Sequence, residues 1–202
     1  MALMRVAPVR LVGRVIQLEP LREDHAADLF EAAQTPDLFT YFRYCFGRDD
    51  WHVDGFREFI RTTYQRQAAC PFAIIHRESG RAIGQTCYLA IRPADFALEI
   101  GATWIGPAYQ GTAVNPESKF LLLRHAFETL GAVRVEIKTD SRNVHSMRAI
   151  EKLGAKREGL LRKHLILPDG YIRDSIYYSI LDDEWPEVKT RLIDRLGYEP
   201  GA

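Results

Sequence analysis

The sequence predicts one α/β domain, a sandwich built on a mixed sheet, and three observations predict it. The 202 residues suffice for one well-buried core and fall short of two ordinary domains. Segments with the alternation of strands and segments with helical periodicity succeed one another without a linker, repeat or low-complexity tract. Their order is strand, two helices, three strands, helix, strand, helix, then two strands and a closing helix, which needs layers of helix against a sheet.

Taken in order, VRLVGRVIQLEPL reads as the first strand. Leu21 to Ala33 reads as a helix, with Ala26, Leu29, Phe30 and Ala33 on its apolar face. An aromatic-rich connection runs from Thr35 to Asp50. A second helix is expected from about Trp51 to Ala68, carrying Val53, Phe56, Phe59, Ile60 and Tyr64. The runs PFAIIHR, RAIGQTCYLAIR and FALEIGATWI, separated by Glu78-Ser79-Gly80 and Pro93-Ala94-Asp95, describe an antiparallel meander. Alternation along FALEIGATWI sets Phe96, Leu98, Ile100 and Trp104 on one face and Ala97, Glu99, Gly101 and Thr103 on the other, with Gly101 a candidate bulge. A helix from Pro116 to Leu130, the strand AVRVEIKTD and a helix from about Val144 to Leu153 follow, and Gly154 ends that helix. KREGLLRKHLIL and YIRDSIYYSIL form a last hairpin around Pro168-Asp169-Gly170, before a helix from Asp183 to Leu196. In YIRDSIYYSIL, Asp174 shares the face of Ile172, Ile176, Tyr178 and Ile180, expected to be buried.

Composition narrows the classes of function. Hydrophobic residues make up 47% and charged residues 27%, as in ordinary globular proteins. Lys plus Arg and Asp plus Glu both number 27, so the net charge of zero leaves no electrostatic footprint for nucleic acid. Arg5, Arg10, Arg14 and Pro8 interrupt the opening segment, which excludes it as a signal peptide or membrane span and makes a cytoplasmic location the expectation. Cys45, Cys70 and Cys87 lack metal-ligand spacing and read as small buried hydrophobes; no metal site is expected.

The segment Gln110-Gly111-Thr112-Ala113-Val114-Asn115 carries the clearest chemistry. Asn115 reads as an N-cap, Pro116 as the first helical residue and Glu117 as a first-turn acid. Small residues just before that start let the backbone approach a ligand, and free N–H groups with the positive helix end make an anion site. A tight strand-to-helix connection is the alternative.

These six residues resemble the Q/R-x-x-G-x-G/A pyrophosphate loop of the GNAT acetyltransferases, with Ala113 in place of the first glycine and Asn115 in place of the final Gly or Ala. Beyond the loop, Arg142-Asn143 with Ser146, Leu153-Gly154-Ala155, Glu158-Gly159 and Pro168-Asp169-Gly170 with Arg173-Asp174 resemble the RimJ/RimL-like branch of that family. The match is strongest from Glu99 to Trp185. The order of these weak motifs makes a strong joint signal. The resemblance implies a mostly antiparallel sheet whose splayed strands bind acetyl-CoA, the acetyl donor.

The resemblance also implies roles. Gln110 to Asn115 would face the pyrophosphate and Asn143 the pantetheine arm, beside its own reading as an N-cap; Ser146 would lie one turn on. Arg148, with Arg142, Lys152 and Lys119, either neutralises phosphate or is solvated surface charge. Where many family members carry the tyrosine that protonates the leaving thiolate, this chain has Ile150, which leaves Ser146 as the nearest donor. Glu99 matches the strand glutamate often used as general base, against the alternative of a solvent-facing residue. Asp174 either orients the amine or forms a structural ion pair. Tyr41, in the cluster of Phe39, Phe42, Tyr44, Phe46 and Trp51, and Tyr178 complete the expected acceptor side.

Freeing an α-amine at pH 7 costs roughly 1.4 kcal/mol, against roughly 4.6 kcal/mol for a lysine amine. This favours a protein N-terminal α-amine, with a small-molecule amine as the alternative acceptor. A CoA-binding sensor without turnover and an interaction domain keeping only the fold are the competing classes. A homodimer is expected from the family.

Overall fold

The structure, a computed structural model, describes residues 3–44, 46, 48–63 and 69–199. The expectations for Cys45, Tyr64 and the end of the second helix at Ala68 lie outside the described residues. The elements are β1 (Leu11–Val12), β2 (Ile16–Pro20), α1 (Ala26–Ala33), α2 (Val53–Thr63), β3 (Cys70–His76), β4 (Ala82–Arg92), β5 (Ala97–Ile105), α3 (Val114–Arg124), β6 (Arg134–Asp140), α4 (Val144–Leu153), β7 (Lys156–Ile166), β8 (Ile172–Leu181) and α5 (Trp185–Leu196). Among the described residues, eight strands form one sheet in the order β1-β2-β3-β4-β5-β6-β8-β7. Every neighbouring pair is antiparallel except β5 and β6, which are parallel.

Apolar side chains fill both faces. Leu98, Ile100, Val135 and Ile137 pack with Phe120 and Leu122 of α3, Ile150 and Leu153 of α4, and Val188 and Leu192 of α5. On the opposite face Ala73, Ile75 and Trp104 pack with Leu29 of α1, Phe56 and Ile60 of α2, and Phe39. Cys70 and Cys87 are buried and unbridged. Burial pushes both thiols up, Cys70 to about 11. No helix among the described residues is long and apolar enough to cross a membrane.

Three expectations need correction. The first strand is two strands with a turn at Gly13, because the Glu117 carboxylate accepts from the amides of Arg14 (2.8 Å), Val15 (2.9 Å) and Ile16 (2.6 Å). A Cβ on Gly13 would lie 2.6 Å from Glu117 Cδ, so this close approach requires glycine. Glu117 is therefore a buried anchor for a distant turn, and not a helix-dipole partner at the surface. The α3 helix begins at Val114 with Ala113 as its N-cap, so Asn115 and Pro116 sit inside the first turn.

The third correction concerns β5. Cys87 pairs with Gly101 and Gln85 with Trp104, so the single Thr86 of β4 faces both Ala102 and Thr103. The extra residue is a bulge beside Gly101, where Ala102 adopts φ +48°. One added residue inverts the alternation beyond it. Trp104 consequently joins the face of Glu99 and leaves that of Leu98 and Ile100.

Candidate active site

The sheet parts at its one parallel junction. β5 and β6 pair only from Ala97 to Glu99 and from Arg134 to Glu136. Beyond Glu99, β5 stays with β4 and β6 stays with β8, so a V-shaped gap opens toward the carboxyl ends of both strands. Parallel strands bring the segments that follow them to the same end, where α/β sheets bind ligands. Here those segments lead into α3 and α4.

The loop into α3 is held open by its own hydrogen bonds. Gln110 donates through Nε2 to the Ile105 carbonyl at 3.0 Å, tying the loop to the end of β5. Thr112 Oγ1 donates to the Tyr109 carbonyl at 2.7 Å and accepts from the Val114 amide at 3.3 Å. The amides of Gly111, Thr112, Ala113 and Asn115 find no acceptor among the described residues. Gly111 is at φ +74°, and nothing lies within 4 Å of where its Cβ would be, so glycine there serves the backbone turn and leaves space. Four free donors beside the positive end of an uncapped helix suit a pyrophosphate.

Across the gap, Asn143 caps α4 by accepting the Ser146 amide at 2.9 Å. Its side-chain amide nitrogen is left without a partner among the described residues and can donate to an amide-rich ligand arm. Ser146 is half-buried one turn on, whereas Arg148 is exposed. Ile150, at the position of the family's tyrosine, is buried in the core and offers no proton.

A polar network covers the other face of the sheet. Glu99 is 2% exposed and pairs with Lys138, so it is not a solvent-facing residue. Asp140 receives Arg142 through Nε at 3.1 Å, Nη2 at 2.9 Å and the backbone amide at 2.9 Å. Burial pushes the Asp140 carboxyl up, but the Arg142 bonds outweigh it and hold it below its ordinary value. The Arg142 guanidinium lies 3.3 Å from the Tyr171 ring centroid and 5.5 Å from that of Tyr41. Arg173 donates through Nε to Ser175 Oγ at 2.9 Å and through Nη1 to the Tyr41 carbonyl at 3.0 Å. These contacts clamp the aromatic loop onto the ends of β6 and β8. Nearby, His164 Nε2 lies 3.4 Å from the Tyr177 hydroxyl. Burial first, then the charges of Lys138, Arg173 and Arg43, push the imidazole below its ordinary value.

The expected acceptor residues divide between the two faces. Tyr41 lies over the Glu99 face. Asp174 and Tyr178 lie on the opposite one, because β8 alternates without a break beside β6. Asp174 is half-buried and forms no ion pair among the described residues; it accepts the Lys163 amide at 2.6 Å where β7 is irregular and Lys163 adopts φ +49°. The Tyr178 hydroxyl donates to the Glu151 carboxylate of α4 at 3.1 Å. Of the aromatic cluster, Phe39 and Phe46 are core residues. Lys119 turns inward from α3 and donates to Thr103 Oγ1 at 2.7 Å, next to the bulge and away from any phosphate role at the surface. Burial pulls its ammonium down to about 7.

Sequence reasoning passed over Lys138, Asp140, Arg173, Ser175 and Tyr177. Their signal was polar residues at alternate positions in strands that are central to the sheet, where both faces are covered. Alternation points to burial of the Asp174 face of β8, yet Arg173 and Ser175 on the other face are buried and Asp174 only half-buried.

Comparisons with known proteins identify the family and the fold. A family model described as an acetyltransferase (GNAT) domain matches residues 16–156. The Bacillus subtilis (strain 168) protein named "Probable N-acetyltransferase YjcK" is 29% identical over 181 residues, which cover 86% of this chain and 99% of that one. A crystal structure of a GCN5-related N-acetyltransferase from Brucella melitensis is similar with a TM-score of 0.89 at 28% identity, covering 98% of this chain and 89% of that one. The ribosomal-protein-S5-alanine acetyltransferase of Vibrio fischeri shares the fold, with a TM-score of 0.69 at 18% identity over 88% of this chain and 98% of that one.

Proposed function

Because this chain belongs to the GNAT acetyltransferases, in their RimJ/RimL-like branch, we propose that it moves the acetyl group of acetyl-CoA directly onto a primary α-amine held in the same complex. The observation that carries this reading is the gap between β5 and β6, with unsatisfied amides on one lip, Asn143 on the other and Glu99 on the wall. Acetyl-CoA, when bound, supplies a thioester carbonyl open to attack by a neutral amine. Gly111, Thr112, Ala113 and Asn115 hold the pyrophosphate, and Asn143 holds the pantetheine arm. Ser146 stands where the departing sulfur's proton is supplied, a modest requirement because a thiol of pKa about 8.5 leaves readily.

Glu99 takes the amine's proton, directly or through water. Lys138 pairs with the Glu99 carboxylate and fixes its position at the β5–β6 junction. An α-amine asks least of such a base, and the name of the Vibrio fischeri relative, which specifies an alanine of a ribosomal protein, supports a protein N-terminus as the acceptor. An acceptor screen with labelled acetyl-CoA, spanning N-terminal peptides and small amines, tests the reading. Label transfer to α-amines is expected, and binding of acetyl-CoA without transfer to any amine contradicts it. Glu99→Gln is expected to lower kcat about a hundredfold with acetyl-CoA affinity unchanged; an unaltered pH–rate profile would remove Glu99 as the base.

A further inference from the structure

Arg173 has no ion-pair partner among the described residues although it is only 7% exposed. No carboxylate of the described residues lies within 4.0 Å of its guanidinium. The two carboxylates nearest in effect, Asp140 and Glu99, are already engaged by Arg142 and Lys138. Of its five N–H groups, Nε–H serves Ser175 and one on Nη1 serves Tyr41. The remaining edge, including all of Nη2, has no protein acceptor among the described residues. Arg173 Nη2 is not among the donors sealed from solvent, so this edge is open to a ligand, and an anion there would pair a cation that is otherwise largely buried. Burial holds this guanidinium below its ordinary value, with Asp140 and Glu99 acting in the opposite sense.

The surroundings point the same way. Lys138, Arg173 and Arg43 all act on His164, so cations crowd this part of the Glu99 face. A polycationic acceptor would meet repulsion there. A planar guanidinium edge matches a carboxylate through two parallel hydrogen bonds.

We propose that Arg173 anchors a carboxylate of the acceptor, so that the preferred acceptor is a primary α-amine with a carboxylate close by. The assignment rests on the acetyl-transfer reading given above and names the acceptor's chemistry within it. The carboxylate belongs either to a free amino acid or to an acidic side chain beside a peptide N-terminus. Rates on alanine against alaninamide, and on Ala-Asp against Ala-Asn amidated peptides, separate the two sources.

The wild-type protein is expected to favour the acid of at least one pair about ten- to a hundredfold in kcat/KM, the range of a charge-assisted hydrogen-bonded pair. Arg173→Gln should bring that ratio close to one, mainly through KM for the acid, and Arg173→Lys, which keeps charge without the planar fork, should fall between. A merely structural role would depress both members of a pair alike and leave the ratio as it was. Equal wild-type rates on acid and amide in both pairs, or a preference that survives Arg173→Gln, overturns the proposal. Transfer without acid preference sinks this inference alone, whereas no transfer to any amine sinks the acetyl-transfer reading with it.

Discussion

Asn143 caps α4, and the proposed function gives the same side chain a second task at the ligand. Its Oδ1 caps α4 through the Ser146 amide, and its nitrogen has no partner among the described residues. Asn143→Ala should cost about 1 kcal/mol of stability for the lost cap and should weaken acetyl-CoA binding. Asn143→Asp keeps a capping oxygen and removes the donor, so calorimetry should find weakened binding with the melting temperature preserved; retained affinity in this variant would reduce Asn143 to a cap. The cap was legible because it is a local signal; the ligand role rests on the resemblance to the family motif. The Glu99–Lys138 and Asp140–Arg142 pairs and the free edge of Arg173 were not legible in the same way. Glu99 meets Lys138 across the β5–β6 junction, and Arg173 reaches Tyr41 132 positions away, so neither contact leaves a trace in local periodicity.

At the scale of elements, most strands and helices could be read from alternation and helical spacing, and the errors fall where another element intervenes. Glu117 divides the first strand at Gly13. The bulge at Ala102 moves Trp104 to the other face, a change that strict alternation has no means of registering. This bulge lies on the strand that leaves β6, so it belongs to the geometry that opens the gap between them. Ala102→Val puts a β-branched side chain at positive φ and should destabilise the protein by about 1–2 kcal/mol while weakening acetyl-CoA binding. Ala102→Gly should move stability the other way, by roughly 0.5–1 kcal/mol. Urea unfolding checks both, and a valine variant as stable as the wild type would show that Ala102 does not hold the bulge.

In the whole molecule, two helical layers bury both faces of a sheet that divides at a parallel junction. Glu99, Asp140 and Arg173 are buried along that division and its flank, whereas α3 buries two further charged side chains, Glu117 and Lys119. The Lys119 ammonium titrates at 10.5 when free and near 7 when buried against Thr103. Between those values the unfolded chain binds a proton that the folded chain releases, so this group makes stability rise as pH climbs from about 7 toward 10.5; below 7 its penalty is constant. Lys119→Met should raise stability at pH 7 by on the order of a few kcal/mol and flatten that rise. Urea unfolding at pH 7 and at pH 9.5 is the check, and parallel curves for the two proteins would mean that burial leaves Lys119 charged throughout.

The proposed function puts acetyl-CoA in the gap between β5 and β6, with its pyrophosphate on the α3 loop. Amide resonances followed during a titration with CoA test it most directly. The largest shifts are expected at Gly111, Thr112, Ala113 and Asn115, with the Asn143 side-chain amide moving at the same CoA concentrations. CoA binding that leaves those resonances in place would contradict the claim.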